Sequence, residues 1–352
     1  MTLDLISVYA LWSAIALYAI AFVAFAFDLA RRSAEVAAAA DEAAEKAAAA
    51  ERAAAGEPVA VGAAASVAAG STGAGKARPG RPAGGTLTLE EDHSGTVTAS
   101  RSISLRIGVA LSILGFLLHL TAVITRGVAA ERVPWANMYE FAMTGTAVIV
   151  AVFLIILTRV DLRFLGAFIM GLIVILLGLS SLNFYIEVAP LPPALQSAWL
   201  VIHVFVATTG TGFFFLGFAL TALQLIQARR EAAGTALSAK RFRFMATLPS
   251  SQRLDNLSYR VNIIGFILWT FTLIAGAIWA EAAWGRYWGW DVKEVWTFII
   301  WVVYAGYIHA RATRGWRGNR AAWLSMIGAV TVLFNFTIVN LFFKGLHAYS
   351  GL

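Results

Sequence analysis

Long apolar runs separated by short polar segments dominate this chain of 352 residues. A helix that crosses the hydrocarbon core of a bilayer needs about 20 mostly apolar residues, and eight runs reach or approach that length. The runs cover residues 5–27, 105–125, 138–157, 164–182, 198–226, 261–280, 295–310 and 321–343. The pattern therefore predicts an all-α fold, a polytopic membrane helix bundle of about eight transmembrane helices.

The segment between the first two runs has a different composition. Residues 33–55 are rich in Ala with interspersed charges, as in a frayed or coiled helix. Beyond Gly56, the residues Gly, Ala, Ser and Pro predominate, which is typical of a flexible linker. We therefore predict a first transmembrane helix (1–30), an Ala/Gly-rich cytoplasmic linker that is partly disordered (31–104) and a membrane domain of seven helices (105–352).

The arginines indicate the orientation of the helices. They recur in every second connection, at 31–32 with 101–106, at 159–163, at 229–260 and at 311–320. Short connections rich in Lys and Arg stay on the cytoplasmic side of a membrane. The connections 126–137, 183–197 and 281–294, together with both termini, are therefore predicted to lie outside the plasma membrane.

The composition supports a membrane protein and excludes chemistry based on thiols. Hydrophobic residues make up 59% of the chain, charged residues 13%, and the mean hydropathy is +0.73. The net charge of +7 would suggest a nucleic-acid partner in a soluble protein, but here the basic residues lie in connections and read as topology signals. The chain has no cysteine, so any redox step on the thiols of a substrate must come from other proteins.

A tryptophan-rich turn occupies the last predicted outer connection. Its distinctive residues fall within eight consecutive positions: Trp284, Gly285, Trp288, Gly289, Trp290 and Asp291. Indoles offer broad flat apolar surfaces and glycines allow close backbone approach, which suits a large planar ligand. The alternative is an aromatic belt that anchors helix ends at the headgroups, although a belt does not require this density and order.

Charged residues accompany the indoles. Arg286 and Lys293 either pair with carboxylates of such a ligand or serve as simple interfacial cations. We expect Asp291 to cap the N-terminus of the next helix.

Four of the five histidines lie in or beside predicted spans, and His93 lies in the linker. His203 is near the outer end of the fifth span and His347 follows the last one, so both are predicted at the face that carries the tryptophan-rich turn. His309 lies near the inner end of the seventh span. His119 lies within the second span, where it either has a functional role or bonds a neighbouring helix.

Two motifs resemble a known family. The sequence Trp-Gly-x-x-Trp-Gly-Trp-Asp at 284–291 resembles the WWD signature of haem-handling proteins in cytochrome c maturation, and is most similar to that of the CcsA/ResC family of the system II pathway. Residues 134–140 resemble the family's Pro-x-x-Asn-x-Tyr-Glu element. The resemblance covers residues 105 to the end and leaves out the Ala-rich insert.

The resemblance implies a set of haem-binding residues. His203 and His347 match the family's two external histidines, expected to be the axial ligands of haem b iron at an outer site. His309 matches the histidine of an inner membrane site, which needs a second ligand from a partner. The expected haem surface comprises Trp284, Gly285, Arg286, Trp288, Gly289, Trp290, Asp291 and Lys293.

The resemblance also implies a function. Haem would move to the external face and be presented for thioether attachment to the Cys-x-x-Cys-His of an apocytochrome c. The expected partners are a Ccs1/ResB-like membrane protein, the apocytochrome and the thiol-reducing proteins that act on it. The chain would then be one half of a holocytochrome c synthase, a haem lyase that is inactive without its partner.

Two other functions remain open. A haem or small-molecule transporter would need no ligation chemistry, and cells lacking it would not accumulate unmodified apocytochrome. A b-type electron-transfer subunit would hold a permanent haem, but it usually needs paired histidines at both membrane depths, whereas His309 is the one histidine at the inner level.

Overall fold

The computed structural model describes residues 2–54, 102–188, 196–233, 243–313 and 316–347, and within these ranges the regular structure is entirely helical. The α-helices are α1 (Leu3–Ala54), α2 (Ile103–Ala129), α3 (Met138–Leu157), α4 (Gly166–Asn183), α5 (Ala198–Ala233), α6 (Ser251–Trp284), α7 (Val292–Ala312), α8 (Asn319–Phe336) and α9 (Ile338–Phe342). Short 3-10 helices, Arg163–Leu165 and Arg243–Thr247, precede α4 and α6. The all-α prediction is confirmed.

Seven of the helical segments are long and apolar enough to cross a membrane. They comprise α1, α2, α3, α4 with its preceding 3-10 turn, α5, α6 and the segment Asn319–Phe342. The remaining long helix, α7, has 21 residues, about 31 Å at 1.5 Å per residue. It carries charged residues near both ends, Lys293, Glu294 and Arg311 among them. The chain is a multi-pass membrane protein.

The helices extend beyond several of the predicted spans. Helix α6 runs from Ser251 to Trp284 and α5 from Ala198 to Ala233, because polar residues at their ends continue the helix without adding hydrophobicity. Residues 33–54 continue α1 as helix. Residues 55–101 of the predicted linker lie outside the described part of the chain.

The described residues divide into two units, one formed by residues up to 36 with those from 102 onwards and the other by residues 37–54. The first unit contains every helix from α2 onwards and the beginning of α1. All of the site residues predicted from the sequence belong to this first unit.

The α5–α6 pair is the most extensive helix contact, and small residues let the two backbones approach. A Cβ added at Gly265 would lie 2.8 Å from the ring of Phe214, so this close packing requires a glycine. Phe214 stacks on Tyr304 of α7 with ring centroids 3.7 Å apart, and Trp269 of α6 joins the same core cluster. The α5–α6 pair thereby holds α7 in place.

A buried ion cluster fixes the connection between α2 and α3. Arg126 is fully buried and donates hydrogen bonds to Glu140 Oε1 (3.1 Å), to Asp4 Oδ1 (2.6 Å) and to the Ile186 carbonyl (2.6 Å). Glu140 also accepts from Arg132 at 2.6 Å. Buried charges require such pairing, and the cluster holds the loop that leads to the site.

Candidate functional site

An apolar cavity lies where α5, α6, α7 and the last loop meet, with a volume of about 1140 Å³ including its mouth. We call it the histidine cavity because His203 and His347, far apart in the sequence, both line it. Other residues of its wall are Trp135, Asn137, Met138, Phe141, Trp279, Tyr287, Trp288, Lys293, Glu294, Asn335 and Phe336. A mostly apolar wall with a few polar groups is typical of ligand sites.

His203 projects from α5 against α6. Its Nδ1 lies 3.0 Å from the Thr272 carbonyl, so Nδ1–H is the donor and Nε2 is left for a ligand. The ring lies on Gly276, where an added Cβ would be 2.7 Å from Cε1. It also stacks on Trp279, with centroids 5.8 Å apart and an angle of 18° between the planes. The helix pair therefore fixes this imidazole.

His347 lies in the loop after α9 and is oriented by the tryptophan-rich turn. Its Nδ1 is 2.8 Å from Asp291 Oδ2, which again leaves Nε2 for a ligand. Its ring packs edge-on against Trp279 and Trp284, at centroid distances of 5.3 and 4.9 Å. Both histidines thus contact Trp279, a buried indole between them in the sequence.

Asp291 holds several groups at once. It is the N-cap of α7 in a capping box with Glu294, as the sequence predicted, and its Oδ1 also accepts from the Leu346 amide at 3.0 Å. The hydrogen bond from His347 is the largest cause that lowers the pKa of Asp291 to about 2, and burial opposes it. The carboxylate is therefore ionised at neutral pH and ties the last loop to α7.

The two glycines of the turn have different roles. Gly285 ends α6 with φ of 68°, a left-handed conformation that favours glycine. Gly289 leaves room for the guanidinium of Arg286, which occupies the place that a Cβ there would take. The backbone therefore requires Gly285, whereas Gly289 accommodates a side chain.

The indoles of the turn have different environments. Trp288 lines the cavity, and Trp284 packs behind His347. Trp290 has φ of 60° and is 74% exposed. Of the three, Trp288 is the one that forms part of the cavity wall.

The cavity also contains polar groups suited to a carboxylate. Lys293 lines it, donates from Nζ to the Asn335 carbonyl at 2.8 Å and lies 5.4 Å from the Phe336 ring centroid. The buried indole N–H of Trp135 has no hydrogen-bond partner among the described residues. Burial lowers the pKa of the Lys293 amine to about 7, and a carboxylate of a ligand in this apolar wall would favour its charged form.

The other two histidines of the described residues lie elsewhere, and His93 lies outside those residues. His309 is exposed in the last turn of α7, at the end opposite to Lys293. His119 is fully buried, with Nε2 2.9 Å from the Met143 carbonyl and Nδ1 3.3 Å from the Tyr18 hydroxyl. Both of its nitrogens are engaged, which favours the structural alternative left open by the sequence.

Sequence reasoning missed several residues of the wall. Trp279 lies within an apolar run and gave no signal apart from its residue type. Trp135 and Asn137 belong to the Pro-x-x-Asn-x-Tyr-Glu element. This motif was the sequence feature that could have indicated their place in the cavity wall. Asn137 caps α3 by accepting from the Glu140 amide at 2.9 Å, so the motif both starts a helix and forms part of the cavity.

The bundle and its histidine cavity place this chain in a class of multi-pass membrane proteins. In this class, two imidazoles line one apolar cavity. The family model described as Cytochrome C assembly protein matches residues 135–347, a range that includes both histidines and the tryptophan-rich turn. The chain belongs to the CcsA/ResC family of cytochrome c biogenesis proteins, as its motifs indicated.

Relatives in several organisms support this assignment. The chain is 35% identical over 259 residues to cytochrome c biogenesis protein CcsA of Guillardia theta, an alignment that covers 70% of this chain and 86% of the relative. It is 40% identical over 178 residues to CcsA of Synechococcus sp. strain CC9902, covering 46% and 59% respectively. It is 36% identical over 248 residues to CcsA of Heterosigma akashiwo strain NIES-293, covering 62% and 77%.

Proposed function

We propose that this chain binds haem b in the histidine cavity, with His203 and His347 as the two axial ligands, and presents it for covalent attachment to apocytochrome c. The observation that carries the proposal is the convergence of both histidines on one cavity, each with Nδ1 hydrogen-bonded and Nε2 free. Neutral imidazoles oriented in this way are suitable ligands for both faces of a haem iron.

The rest of the cavity matches the remainder of a haem molecule. Trp279 and Trp288 provide apolar surface for the porphyrin. Lys293 provides a partner for a propionate. Arg286 lies over Gly289 and is assigned a structural role in the turn. Of the two roles considered for these cations, pairing with the ligand is therefore assigned to Lys293 and the structural role to Arg286.

The chemical contribution of the chain is positioning. When haem is held with its vinyl groups exposed, each thiol of a Cys-x-x-Cys-His segment adds across one vinyl, the sulfur bonding to carbon and the thiol hydrogen ending on the neighbouring carbon. Holding the reactants together raises their effective molarity. A ResB-like membrane protein is the proposed partner for the apocytochrome and for the second ligand at His309, and thiol-reducing proteins keep the cysteines reduced.

The orientation follows from the arginine distribution. The histidine cavity and the tryptophan-rich turn are assigned to the extracytoplasmic side of the plasma membrane, and His309 to the cytoplasmic side. The exposed Trp290 then faces the compartment where apocytochromes are matured.

The test is the absorption spectrum of haem in the chain purified with its partner. We expect the wild type and a His93→Ala control to show a six-coordinate bis-histidine spectrum, and the His203→Ala/His347→Ala double variant to lose it. An unchanged haem content and spectrum in the double variant would reject the proposal. Cells that lack the chain should accumulate apocytochrome without haem, and the absence of such accumulation would favour a transporter without ligation chemistry.

A further inference from the structure

The buried ion cluster reaches the wall of the histidine cavity through one carboxylate. Glu140 binds two arginines and also holds the backbone of the loop before α3, because its Oε2 accepts from the Ala136 amide at 3.0 Å. Ala136 lies between Trp135 and Asn137, and both of these residues line the histidine cavity. The position of this part of the wall therefore depends on the direction of the Glu140 carboxylate.

The first helix enters the same cluster through Asp4. Arg126 donates from its guanidinium to Asp4 Oδ1 at 2.6 Å and to Glu140 Oε1 at 3.1 Å. Arg132 binds the same Glu140 at 2.6 Å, and the Tyr185 hydroxyl donates to Asp4 Oδ2 at 2.9 Å. Two guanidinium groups thus share two carboxylates, one of which belongs to α1.

Removal of the Asp4 charge would change the surroundings of Glu140. Arg126 and Glu140 are both fully buried, and a buried cation that loses a carboxylate is strongly destabilised. The Glu140 carboxylate would then turn towards Arg126, although its Oε2 is also bound by Arg132 and by the Ala136 amide. Hydrogen bonds from charged donors are stronger than those from neutral ones, so the Ala136 amide would be released first.

We propose that Asp4 is a positioning residue for the haem site, which acts through Arg126 and Glu140 on the wall formed by Trp135 and Asn137. The inference rests on the proposed function and adds the first helix to it. Asp4, Arg126 and Glu140 do not line the histidine cavity themselves, so the effect on haem is indirect. Through this contact, α1 determines how tightly the cavity holds haem.

The first test is the rate at which haem leaves the full-length chain purified with its partner, measured by transfer to an excess of apomyoglobin. We expect Asp4→Asn to accelerate release about tenfold, which corresponds to about 1.4 kcal/mol, and Asp4→Glu to restore the rate. The bis-histidine spectrum should remain, because Thr144 still holds the Pro134 carbonyl at 3.0 Å and limits the shift of the wall. An unchanged release rate in Asp4→Asn would overturn the inference.

The matched control is Asp28→Asn on the same helix. Asp28 is 4% exposed, pairs with Arg32 at 2.9 Å and accepts from Ser104 at 3.2 Å. It lies about 36 Å from Asp4 along α1, at 1.5 Å per residue. Both variants should lower the melting temperature, but Asp28→Asn should release haem at the rate of the wild type. Equal acceleration by the two variants would overturn the inference, because the effect would then come from the general stability of α1.

A second test does not depend on haem. Because the chain has no cysteine, Val133→Cys provides a single thiol for a spin label, on a loop side chain that is 39% exposed. In the haem-free chain with its partner, Asp4→Asn should increase the mobility of this label, and Asp28→Asn should leave it unchanged. If Asp4→Asn does not fold, Tyr185→Phe removes only the hydroxyl that holds Asp4 and should increase the mobility less.

The two tests separate this inference from the proposed function. A label whose mobility is the same in the wild type and in the folded variants would overturn the role of Asp4. Failure of the wild type to form the bis-histidine spectrum would instead reject the proposed function, whatever the label shows.

Discussion

The Nδ1 atom of His347 donates a hydrogen bond to Asp291 Oδ2 across 2.8 Å, joining the loop after the last helix to the end of the tryptophan-rich turn. A carboxylate on the far nitrogen of an imidazole fixes the orientation of the ring and raises its basicity as a metal ligand. The opposite histidine, His203, has a backbone carbonyl in the same position. The two proposed ligands of one iron are therefore unequal.

The carboxylate can be removed while the helix cap is kept. Asn is as good an N-cap as Asp, so Asp291→Asn should preserve α7 and replace only the charged acceptor of His347. We expect haem affinity to fall about 10- to 100-fold and the midpoint potential of the bound haem to rise, as measured by haem titration and redox titration. An Asp291→Glu variant that restores the potential would support a charge effect, and an unchanged potential in Asp291→Asn would contradict it.

The two histidine positions should differ in rescue by imidazole. His203 projects from a helix between Gly276 and Trp279 of the neighbouring helix, whereas His347 lies in a loop. We expect added imidazole to restore the six-coordinate spectrum of His347→Gly at about tenfold lower concentration, a difference of about 1.4 kcal/mol. Optical titration of both variants measures this, and the reverse order would show that His203 is the more accessible position.

The Asp291 carboxylate should also control how the stability of the fold changes in acid. Its pKa is lowered to about 2, first by the hydrogen bond from His347, whereas an unfolded Asp has a pKa of about 3.9. A depressed folded-state pKa stabilises the fold fully above the unfolded value, and this stabilisation is lost as the pH falls from about 4 through 2. Between pH 6 and 3, melting temperature should fall more steeply for the wild type than for Asp291→Asn. Parallel curves would contradict the assignment.

The buried ion cluster should be important for stability. Glu140→Ala would leave the charge of the fully buried Arg126 without one of its two carboxylates, which costs about 3–5 kcal/mol. The control is Glu35→Ala, which removes the exposed Arg31–Glu35 pair and should cost about 0–1 kcal/mol. Unfolding in detergent measures both, and similar losses for the two variants would contradict the importance of burial.

His119 should affect stability rather than haem. Both of its ring nitrogens have partners, so His119→Leu leaves the Tyr18 hydroxyl unsatisfied at a cost of about 1–3 kcal/mol, whereas the Met143 carbonyl keeps the hydrogen bond from Thr146 Oγ1. We expect a lower melting temperature and an unchanged spectrum of haem bound to the folded fraction. Loss of the bis-histidine spectrum in that fraction would assign a ligand role to His119.

The sequence by itself determined what depends on local pattern. Apolar runs located the spanning helices, because a span must be apolar along its whole length. The cap at Asp291 and the glycine at the end of α6 could be inferred from residues within one helical turn of each other. The tryptophan-rich turn and the 134–140 motif identified the family, because motifs are contiguous.

Only the tertiary structure decided which side chains meet. Hydropathy does not define how a spanning helix is rotated about its axis, and that rotation directs His203 towards Gly276 and Trp279 and gives both nitrogens of His119 partners on other helices. The hydrogen bond from Lys293 to the Asn335 carbonyl and the stacking of Phe141 on Phe336 likewise arise from packing between residues distant in the chain. Such contacts depend on the path of every intervening helix, so no local stretch of sequence encodes them.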